Sequence, residues 1–330
     1  MKLDFVEIAI TSECNLLCKH CYQKDDKDHE YKLPLDVVTR VMADAKSCGA
    51  NKVQFTGGEF FTHPNFEEIL DLANNLNFSI NISTNGTLLS DNHIILLRSI
   101  KNLDTIFISI DGFDEDHDWM RGTGTFNKTI QIVKKLINSD IHVGIIVTMN
   151  KRNVFYLEEL ILYLGSIGVE NISLLNIGAA GFALENAQHL LPSKNGLKII
   201  RNFYRKYGEI NSSEKCKIFS NVLSINYDGT IYPCTMAKST RTFPLGSVYD
   251  NSLIDIWNTI FMENKYSFIN FKRGELKECV TCDFFQECEG RCRIRAYKYS
   301  GNFFAPDPFA CWIYKEMEAE NVQKLMFGAR

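Results

Sequence analysis

The sequence predicts an α/β protein, a partial (β/α)6 barrel of the TIM type followed by a small cysteine-rich domain. Over the first two thirds of the chain, six short β-branched segments alternate with six amphipathic segments. Such alternation predicts a parallel sheet with helices outside it. The alternation stops near residue 210, and seven of the eleven cysteines lie beyond that point. We therefore expect two parts with different architectures.

The elements of the barrel follow from hydrophobic periodicity. Predicted strands cover residues 5–11, 52–56, 79–84, 105–109, 142–148 and 171–175. Predicted helices cover residues 34–47, 65–76, 90–99, 126–138, 154–167 and 193–207. Six units are two short of a closed barrel. We expect a barrel domain over 1–210, whose last helix bridges to a second domain over 211–330 that opens with a hairpin turn at Tyr227-Asp-Gly-Thr230.

Composition excludes several classes of protein. The chain has 330 residues, is 45% hydrophobic and carries a formal net charge of −4, so it lacks the basic footprint of a nucleic-acid binder. Its N-terminus has no apolar signal core, and no apolar run is long enough to span a bilayer. We expect a cytoplasmic protein with no nucleic-acid or membrane partner.

The cysteines indicate metal binding. Disulfides rarely persist in the cytoplasm, and an odd number of cysteines with none between residues 49 and 215 does not suggest a disulfide framework. Cys14, Cys18 and Cys21 directly follow the first predicted strand. Thiolates suit iron–sulfur clusters, and three of them leave one iron of a cubane open. Zinc would require a fourth nearby ligand, and His20 is poorly placed to be one. The alternative, three buried free cysteines in eight residues, has no packing rationale.

The C-x3-C-x2-C spacing, followed by Tyr22, resembles the signature of the radical S-adenosylmethionine (SAM) superfamily. The resemblance implies a [4Fe–4S] cluster whose open iron chelates the amino and carboxylate groups of SAM. Reduction by one electron then yields a 5′-deoxyadenosyl radical that abstracts a substrate hydrogen. A flavodoxin or ferredoxin-type protein is the electron donor that we expect.

Further motifs follow successive predicted strands, as sites in such folds do. They are Thr56-Gly-Gly-Glu59, Ser83-Thr-Asn-Gly86, Ser109-Ile-Asp-Gly112 and the later stretch from His117 to Gly122. By resemblance, Glu59 accepts from the SAM ammonium, Ser109 and Arg121 contact its ribose or carboxylate, and the Leu175 backbone meets adenine. The cofactor-binding residues implied are His20, Tyr22, Gly57, Gly58, Glu59, Ser83, Asn85, Ser109, Arg121 and Leu175.

The C-terminal cysteines suit two metal centres, although zinc ribbons are the main alternative for C-x2-C pairs. Their pattern resembles the seven-cysteine signature of the SPASM domain, which carries auxiliary iron–sulfur clusters. The resemblance implies three [4Fe–4S] clusters in all. Cys279, Cys282, Cys288 and Cys311 would hold a distal auxiliary cluster. Cys216, Cys234 and Cys292 would hold a proximal one, and since no further cysteine precedes Cys216 as far back as Cys48, we predict a fourth site that is open or filled by another group.

The catalytic residues are less defined. Candidates for a general base are Asp111, Asp114, Asp116, His117 and Asp118, most of them expected in a solvent-exposed loop. Cys48 is predicted to be a buried free thiol, with hydrogen donation to a substrate radical as the alternative.

Modification of a ribosomal peptide (a crosslink, a thioether or an epimerisation) is the function that the resemblance favours. The alternatives are a radical dehydrogenase or epimerase acting on an aminoglycoside-type carbohydrate, and a non-catalytic iron–sulfur or zinc scaffold. Thr235 stands where sulfatase-maturing members carry an acid, which argues against that activity. Because the first strand begins by Phe5, we expect no N-terminal leader-binding domain; a separate protein could deliver the peptide.

Overall fold

The computed structural model describes residues 2–23, 30–178, 180–207, 221–262 and 272–315. Its strands form one sheet in the order β6-β5-β4-β3-β2-β1-β7-β8-β9, and the pairs from β6 through to β7 are parallel. The strands are β1 (Phe5–Ala9), β2 (Lys52–Thr56), β3 (Ser79–Thr84), β4 (Leu103–Ser109), β5 (Val143–Met149), β6 (Asn171–Asn176), β7 (Val222–Ile225), β8 (Thr230–Tyr232) and β9 (Gly246–Ser247).

Helices follow the strands of the barrel and then dominate the C-terminal part. They are α1 (Leu35–Ser47), α2 (Phe66–Asn75), α3 (Asp91–Ser99), α4 (Asp114–Arg121), α5 (Thr125–Ile137), α6 (Leu157–Ser166), α7 (Phe182–Glu185), α8 (Ala187–Leu190), α9 (Lys194–Tyr207), α10 (Thr235–Thr240), α11 (Leu253–Met262), α12 (Lys277–Val280), α13 (Phe285–Cys288), α14 (Arg293–Ser300) and α15 (Pro308–Lys315). Within the described residues, no helix is long and apolar enough to cross a membrane.

The predicted fold class is confirmed. All six predicted strands and all six predicted helices of the barrel are present, with ends that differ by at most three residues; the largest difference is at the N-terminal end of α6. The hairpin is also present: β7 and β8 pair antiparallel, and Gly229 at the turn has a φ of +82°. A positive φ of this kind is one that glycine adopts without steric cost.

The two parts of the chain share one sheet, although the sequence predicts two domains. β7 pairs in parallel with β1, with Phe5 opposite Val222, so the C-terminal part extends the sheet of the barrel. The bridging helix α9 also reaches the C-terminal part, because Arg201 Nη1 donates to the Tyr314 carbonyl at 3.0 Å. The boundary near residue 210 lies outside the described residues and stays a prediction.

The two faces of the parallel sheet differ in polarity. On β2, Val53 and Phe55 are fully buried in the core shared with the helices, whereas Gln54 between them is half-buried. On β4, Ile106 is buried and Thr105 is half-buried. A parallel sheet covered tightly on both faces is apolar on both. The polar face opposite the helices therefore indicates an open barrel interior.

Candidate active site

The loop after β1 brings three thiols together. Cys18 is 9% exposed, and Cys14 and Cys21 are half-buried. Backbone hydrogen bonds shape the loop: Cys21 N donates to the Cys18 carbonyl at 3.1 Å, and Lys19 N donates to the Met120 carbonyl at 2.9 Å. The loop is thereby attached to the end of α4, about a hundred residues away in sequence.

The electrostatics of these thiols fit a cationic metal centre. Burial raises the pKa of Cys14 to about 12, and the neighbouring Glu59, Cys18 and Cys21 also raise it. Three thiolates gathered here would repel one another, so their ionised form requires a compensating positive charge such as the irons of a cluster. Among the described residues, no three His, Cys, Asp or Glu side chains converge closely enough for one metal ion. The assignment of a cluster therefore depends on the thiolate chemistry and spacing.

The two glycines after β2 allow two loops to touch. A Cβ on Gly57 would lie 2.5 Å from the Thr11 carbonyl oxygen, and one on Gly58 would lie 2.2 Å from that of Glu13. Gly58 N and Glu59 N donate to these same two oxygens at 2.7 Å. The resemblance implied that both glycines bind the cofactor; in the structure, their immediate neighbour is the backbone that leads into Cys14.

Glu59 is buried and oriented by three donors. Its Oε1 accepts from Thr84 Oγ1 at 2.6 Å and from Phe61 N at 3.4 Å, and its Oε2 accepts from Asn85 N at 2.7 Å. Burial raises the pKa of Glu59 above its ordinary value, although these hydrogen bonds oppose the shift. A carboxylate has about four lone-pair positions, so one remains on Oε2 for a further donor.

The end of β3 adjoins the cysteine loop. Asn85 Nδ2 donates to Asn15 Oδ1 at 2.9 Å and lies 4.0 Å from Cys14 Sγ. Ser83 lies on the interior face of the sheet, where its Oγ accepts from Gln54 Nε2 at 2.8 Å. Of the two residues predicted here, Asn85 is therefore beside the thiols and Ser83 is in the barrel interior.

Beyond β4, a buried ion pair lies next to the cysteine loop. Arg121 Nε donates to Asp111 Oδ2 at 2.7 Å, and its Nη1 lies 3.9 Å from Cys18 Sγ. His20 Nε2 lies 3.4 Å from Arg121 Nη2. Burial lowers the pKa of His20 to about 4, so the ring is neutral at pH 7 and accepts from the guanidinium. Although burial alone would raise it, Arg121 and His20 hold the pKa of Asp111 below its ordinary value.

The expectation of a solvent-exposed loop after Ser109 was wrong. Residues 114–121 form α4, with three acidic residues in its first turn and Arg121 in its last, as the helix dipole favours. Asp111 is 0% exposed and His117 is 1% exposed. The segment escaped recognition as a helix because its eight residues include only two adjacent apolar side chains, Trp119 and Met120.

Each buried or half-buried base candidate has a structural partner. His117 Nδ1 accepts from Asp111 N at 3.3 Å, and burial lowers the pKa of His117 to about 4. Asp116 pairs with Arg152, and Asp118 accepts from Phe126 N at 2.8 Å at the start of α5. Asp114 is exposed. These contacts favour positioning roles for the four buried or half-buried candidates, which are Asp111, Asp116, His117 and Asp118.

One predicted residue lies away from the thiols, and two lie at or near the C-terminal ends of strands. Cys48 is the C-cap of α1, at the end of the sheet opposite the cysteine loop, and strands of five residues separate the two ends by about 16 Å. This position does not support hydrogen donation to a radical near the loop. Leu175 is 49% exposed near the end of β6, and Ser109, at the end of β4, is half-buried.

Four C-terminal cysteines share one small cavity, and they are the four that resemblance assigned to a distal cluster. Its lining includes Cys279, Cys282, Cys288 and Cys311. Burial raises the pKa of Cys311 to about 11, and the charges of Cys288 and Cys279 add to the effect.

Two other C-terminal cysteines among the described residues, Cys234 and Cys292, are not part of that lining. Cys234 is the N-cap of α10, where its Sγ accepts from Ala237 N at 3.4 Å. Cys292 precedes α14, and its N donates to Asp307 Oδ2 at 3.0 Å. Helices α10 and α14 are in contact. Cys216 lies outside the described residues, so its place beside these two stays a prediction.

A buried polar group in the barrel was missed from the sequence. Glu7 on β1 is 5% exposed and accepts from Thr235 Oγ1 at 2.8 Å, and it also pairs with Lys238, which is 3% exposed. Burial raises the pKa of the Tyr22 phenol; the charge of Lys238 lowers this pKa and that of Glu7 raises it. A glutamate inside the apolar segment Phe5–Ala9 was the available signal, but nothing local identified Lys238 as its partner.

Comparison with known proteins agrees with this geometry. The profile of the radical SAM superfamily matches residues 8–164, and that of SPASM, an iron–sulfur cluster-binding domain, matches residues 216–283. The tungsten-containing aldehyde ferredoxin oxidoreductase cofactor-modifying protein of Pyrococcus furiosus is 26% identical, over 87% of this chain and 89% of the relative. The antilisterial bacteriocin subtilosin biosynthesis protein AlbA of Bacillus subtilis is 24% identical, over 95% and 72%.

A solved structure shares the fold across most of the chain. SuiB of Streptococcus suis, bound to the precursor peptide SuiA, superposes with a TM-score of 0.69 at 16% identity. The match covers 93% of this chain and 74% of SuiB. The likeness therefore extends from the barrel into the cysteine-rich part.

Proposed function

Because this chain belongs to the radical SAM superfamily and carries a SPASM domain, we propose that it uses SAM-derived radical chemistry to modify a ribosomally made peptide. The observation that carries the proposal is that Cys14, Cys18 and Cys21 lie on one loop, with Glu59 acting on Cys14 and Arg121 Nη1 3.9 Å from Cys18 Sγ. A cluster at the three thiols would supply the electron that cleaves SAM into methionine and a hydrogen-abstracting 5′-deoxyadenosyl radical.

The residues of the chain bind and orient SAM in this proposal. The remaining lone pair of Glu59 accepts from the ammonium group of SAM, since three donors already fix the carboxylate. Arg121 is a fixed cation beside Cys18, whereas Asn85 lies beside Cys14. It offers guanidinium N–H groups to the SAM carboxylate, a geometry that arginine provides well.

The barrel interior supports a polar substrate such as a peptide. Gln54, Ser83 and Thr105 line its open face with hydrogen-bonding groups. A peptide carries an amide donor and acceptor at every residue, so it suits such a surface. The likeness to AlbA and to SuiB, whose structure holds a precursor peptide, supports a peptide over a carbohydrate.

The auxiliary sites are proposed to hold two further clusters. Cys279, Cys282, Cys288 and Cys311 would hold the distal one, and Cys234, Cys292 and Cys216 would hold the proximal one with a fourth position open to a non-cysteine group. A flavodoxin or ferredoxin-type protein would supply electrons, and a separate leader-binding protein could deliver the peptide.

Anaerobic reconstitution tests the proposal in two stages. Three cubanes correspond to about twelve irons per chain, and SAM with a reductant should yield 5′-deoxyadenosine. Short peptides encoded beside the gene are then incubated with the enzyme, and mass spectrometry should show a lost pair of hydrogens or an exchanged Cα hydrogen. The Cys18→Ala variant is the matched control and should be inactive.

Two outcomes would contradict the proposal. Failure of a fully reconstituted protein to cleave SAM with any candidate would overturn the enzymatic function. Turnover of aminoglycoside-type sugars, with every peptide unmodified, would replace the peptide with a carbohydrate substrate.

A further inference from the structure

The Arg121 guanidinium is fixed between a carboxylate and a cysteine sulfur. Its Nε lies 2.7 Å from Asp111 Oδ2, and its Nη1 lies 3.9 Å from Cys18 Sγ. The Arg121 side chain is 8% exposed, that of Asp111 is 0% exposed, and Cys18 is buried with them. Water therefore screens the charge on Arg121 very little.

Asp111 is itself rigidly placed. Its Oδ1 accepts from Thr148 N at 2.7 Å at the end of β5, and its carbonyl accepts from Asn153 Nδ2 at 2.9 Å. Its backbone N donates a hydrogen bond to His117 Nδ1 at 3.3 Å. Since side chain and backbone are both held, Asp111 acts as a fixed anchor that directs the fork of Arg121 toward Cys18.

A cation at this position affects the charge on the cysteine sulfur. Reduction of an iron–sulfur cluster adds one negative charge, part of which resides on the ligating sulfurs. Hydrogen bonds to those sulfurs, net charge and burial are the means by which proteins set cluster potentials. A nearby cation stabilises the reduced form, and a nearby anion opposes it.

We propose that Arg121, positioned by Asp111, raises the reduction potential of the cluster held by Cys14, Cys18 and Cys21, and so makes it reducible by the electron donor. The proposal rests on the proposed function, because it assumes that a cluster occupies these thiols. Arg121 is then an electrostatic residue of the redox centre, in addition to any contact with SAM. Asp111 is a positioning residue whose own charge partly offsets that of Arg121.

The proposal makes opposite predictions for the two partners. Arg121→Met removes the cation, so the reduced-to-oxidised ratio at a fixed potential should fall about tenfold, equivalent to 59 mV for a one-electron couple. Asp111→Asn removes the negative charge and keeps one oxygen that can accept from Arg121 Nε, at the expense of the hydrogen bond from Thr148 N, so the ratio should rise. A purely structural role would not move the two potentials in opposite directions.

The measurement is a redox titration of the reconstituted holoenzyme, followed by electron paramagnetic resonance. The signal of this cluster is distinguished from the auxiliary signals by its change on addition of SAM. Lys135→Met and Asp91→Asn each remove one charge from an exposed ion pair elsewhere in the barrel and should leave the potential unchanged. Iron content is measured for every variant.

An unchanged potential in an iron-replete Arg121→Met protein, or shifts of the same sign in both variants, would overturn the proposal. If Arg121→Met loses iron, the Asp111→Asn variant still tests the proposal. A fall or no change in the reduced-to-oxidised ratio of that variant also overturns the proposal. Failure of the proposed function is distinguishable, because it appears as a wild-type protein that makes no 5′-deoxyadenosine or modifies no peptide, whatever the variant potentials are.

Discussion

Glu7 on the first strand and Lys238 on α10 form a buried ion pair that joins the barrel to the helix directly after Cys234. Although burial alone would lower it, Glu7 raises the pKa of Lys238 above its ordinary value. Thr235 donates to the second carboxylate oxygen of Glu7 at 2.8 Å. The pair therefore fixes α10, and with it Cys234, relative to β1.

Glu7→Gln should destabilise the protein markedly, because it leaves the Lys238 cation buried without a counter-charge. Loss of one partner of a buried pair costs about 3–5 kcal/mol. Denaturant unfolding measures the change, and Lys206→Met, which removes one partner of an exposed pair with Glu158, should cost less than about 1 kcal/mol. The double variant Glu7→Gln/Lys238→Met should recover much of the loss. Similar unfolding free energies for Glu7→Gln and the Lys206 control would show that the pair contributes little.

Glu59→Gln should weaken SAM binding. The amide keeps the size of the side chain but loses the charge that attracts the SAM ammonium. A hydrogen bond to a charged group contributes about 1.5–3 kcal/mol, so the dissociation constant should rise roughly tenfold or more. Equilibrium binding of SAM to the reconstituted protein measures it. Glu68→Gln, at an exposed position of α2, should bind SAM as the wild type does; equal affinity in both variants would remove Glu59 from the SAM site.

Gly58→Ala should displace the backbone that leads into the cysteine loop. The added Cβ would lie 2.2 Å from the Glu13 carbonyl oxygen and 2.4 Å from that of Ser12, and backbone atoms cannot move aside without shifting the loop. Iron content after reconstitution should fall by about four per chain, the content of one cubane. Gly165→Ala is the control, because its Cβ meets nothing within 4 Å on α6. Full iron content in Gly58→Ala would show that the loop tolerates the displacement.

Cys48→Ala should leave iron content and SAM cleavage unchanged, because Cys48 lies at the opposite end of the sheet from the cysteine loop. Cys18→Ala should instead lose about four irons and all SAM cleavage. Iron analysis and chromatography of 5′-deoxyadenosine compare the two. A fall in the yield of modified peptide with Cys48→Ala, at full iron content and measured by mass spectrometry, would restore the hydrogen-donor hypothesis.

Much of the fold was predictable because the relevant signals are local. β2 and β3 have the predicted ends, since alternation with period two is visible within five or six residues. The spacing of Cys14, Cys18 and Cys21 is likewise contained in one loop. α4 was missed because eight residues, four of them acidic, carry too little hydrophobic periodicity to predict a helix.

The site was predictable only in part. Glu59 and Asn85 were identified from motifs, yet the sequence did not show that Glu59 accepts from Asn85 N or that Gly58 contacts Glu13. It placed Asp111 in a group of base candidates most of which were expected to be exposed, whereas the structure buries it against Arg121. Which polar side chains pair across the molecule depends on the packing of several strand ends.

By itself, the sequence determined the six strand–helix units, the turn before β8 and the loop of three thiols, because each depends on residues close together in the chain. The tertiary structure alone decided that β7 joins β1, that Glu7 meets Lys238, and that Arg121 reaches Cys18. These contacts join residues about one hundred or more positions apart. Local propensities carry no information about them, since they form only when the sheet brings its strand ends together and excludes water from the charges between them.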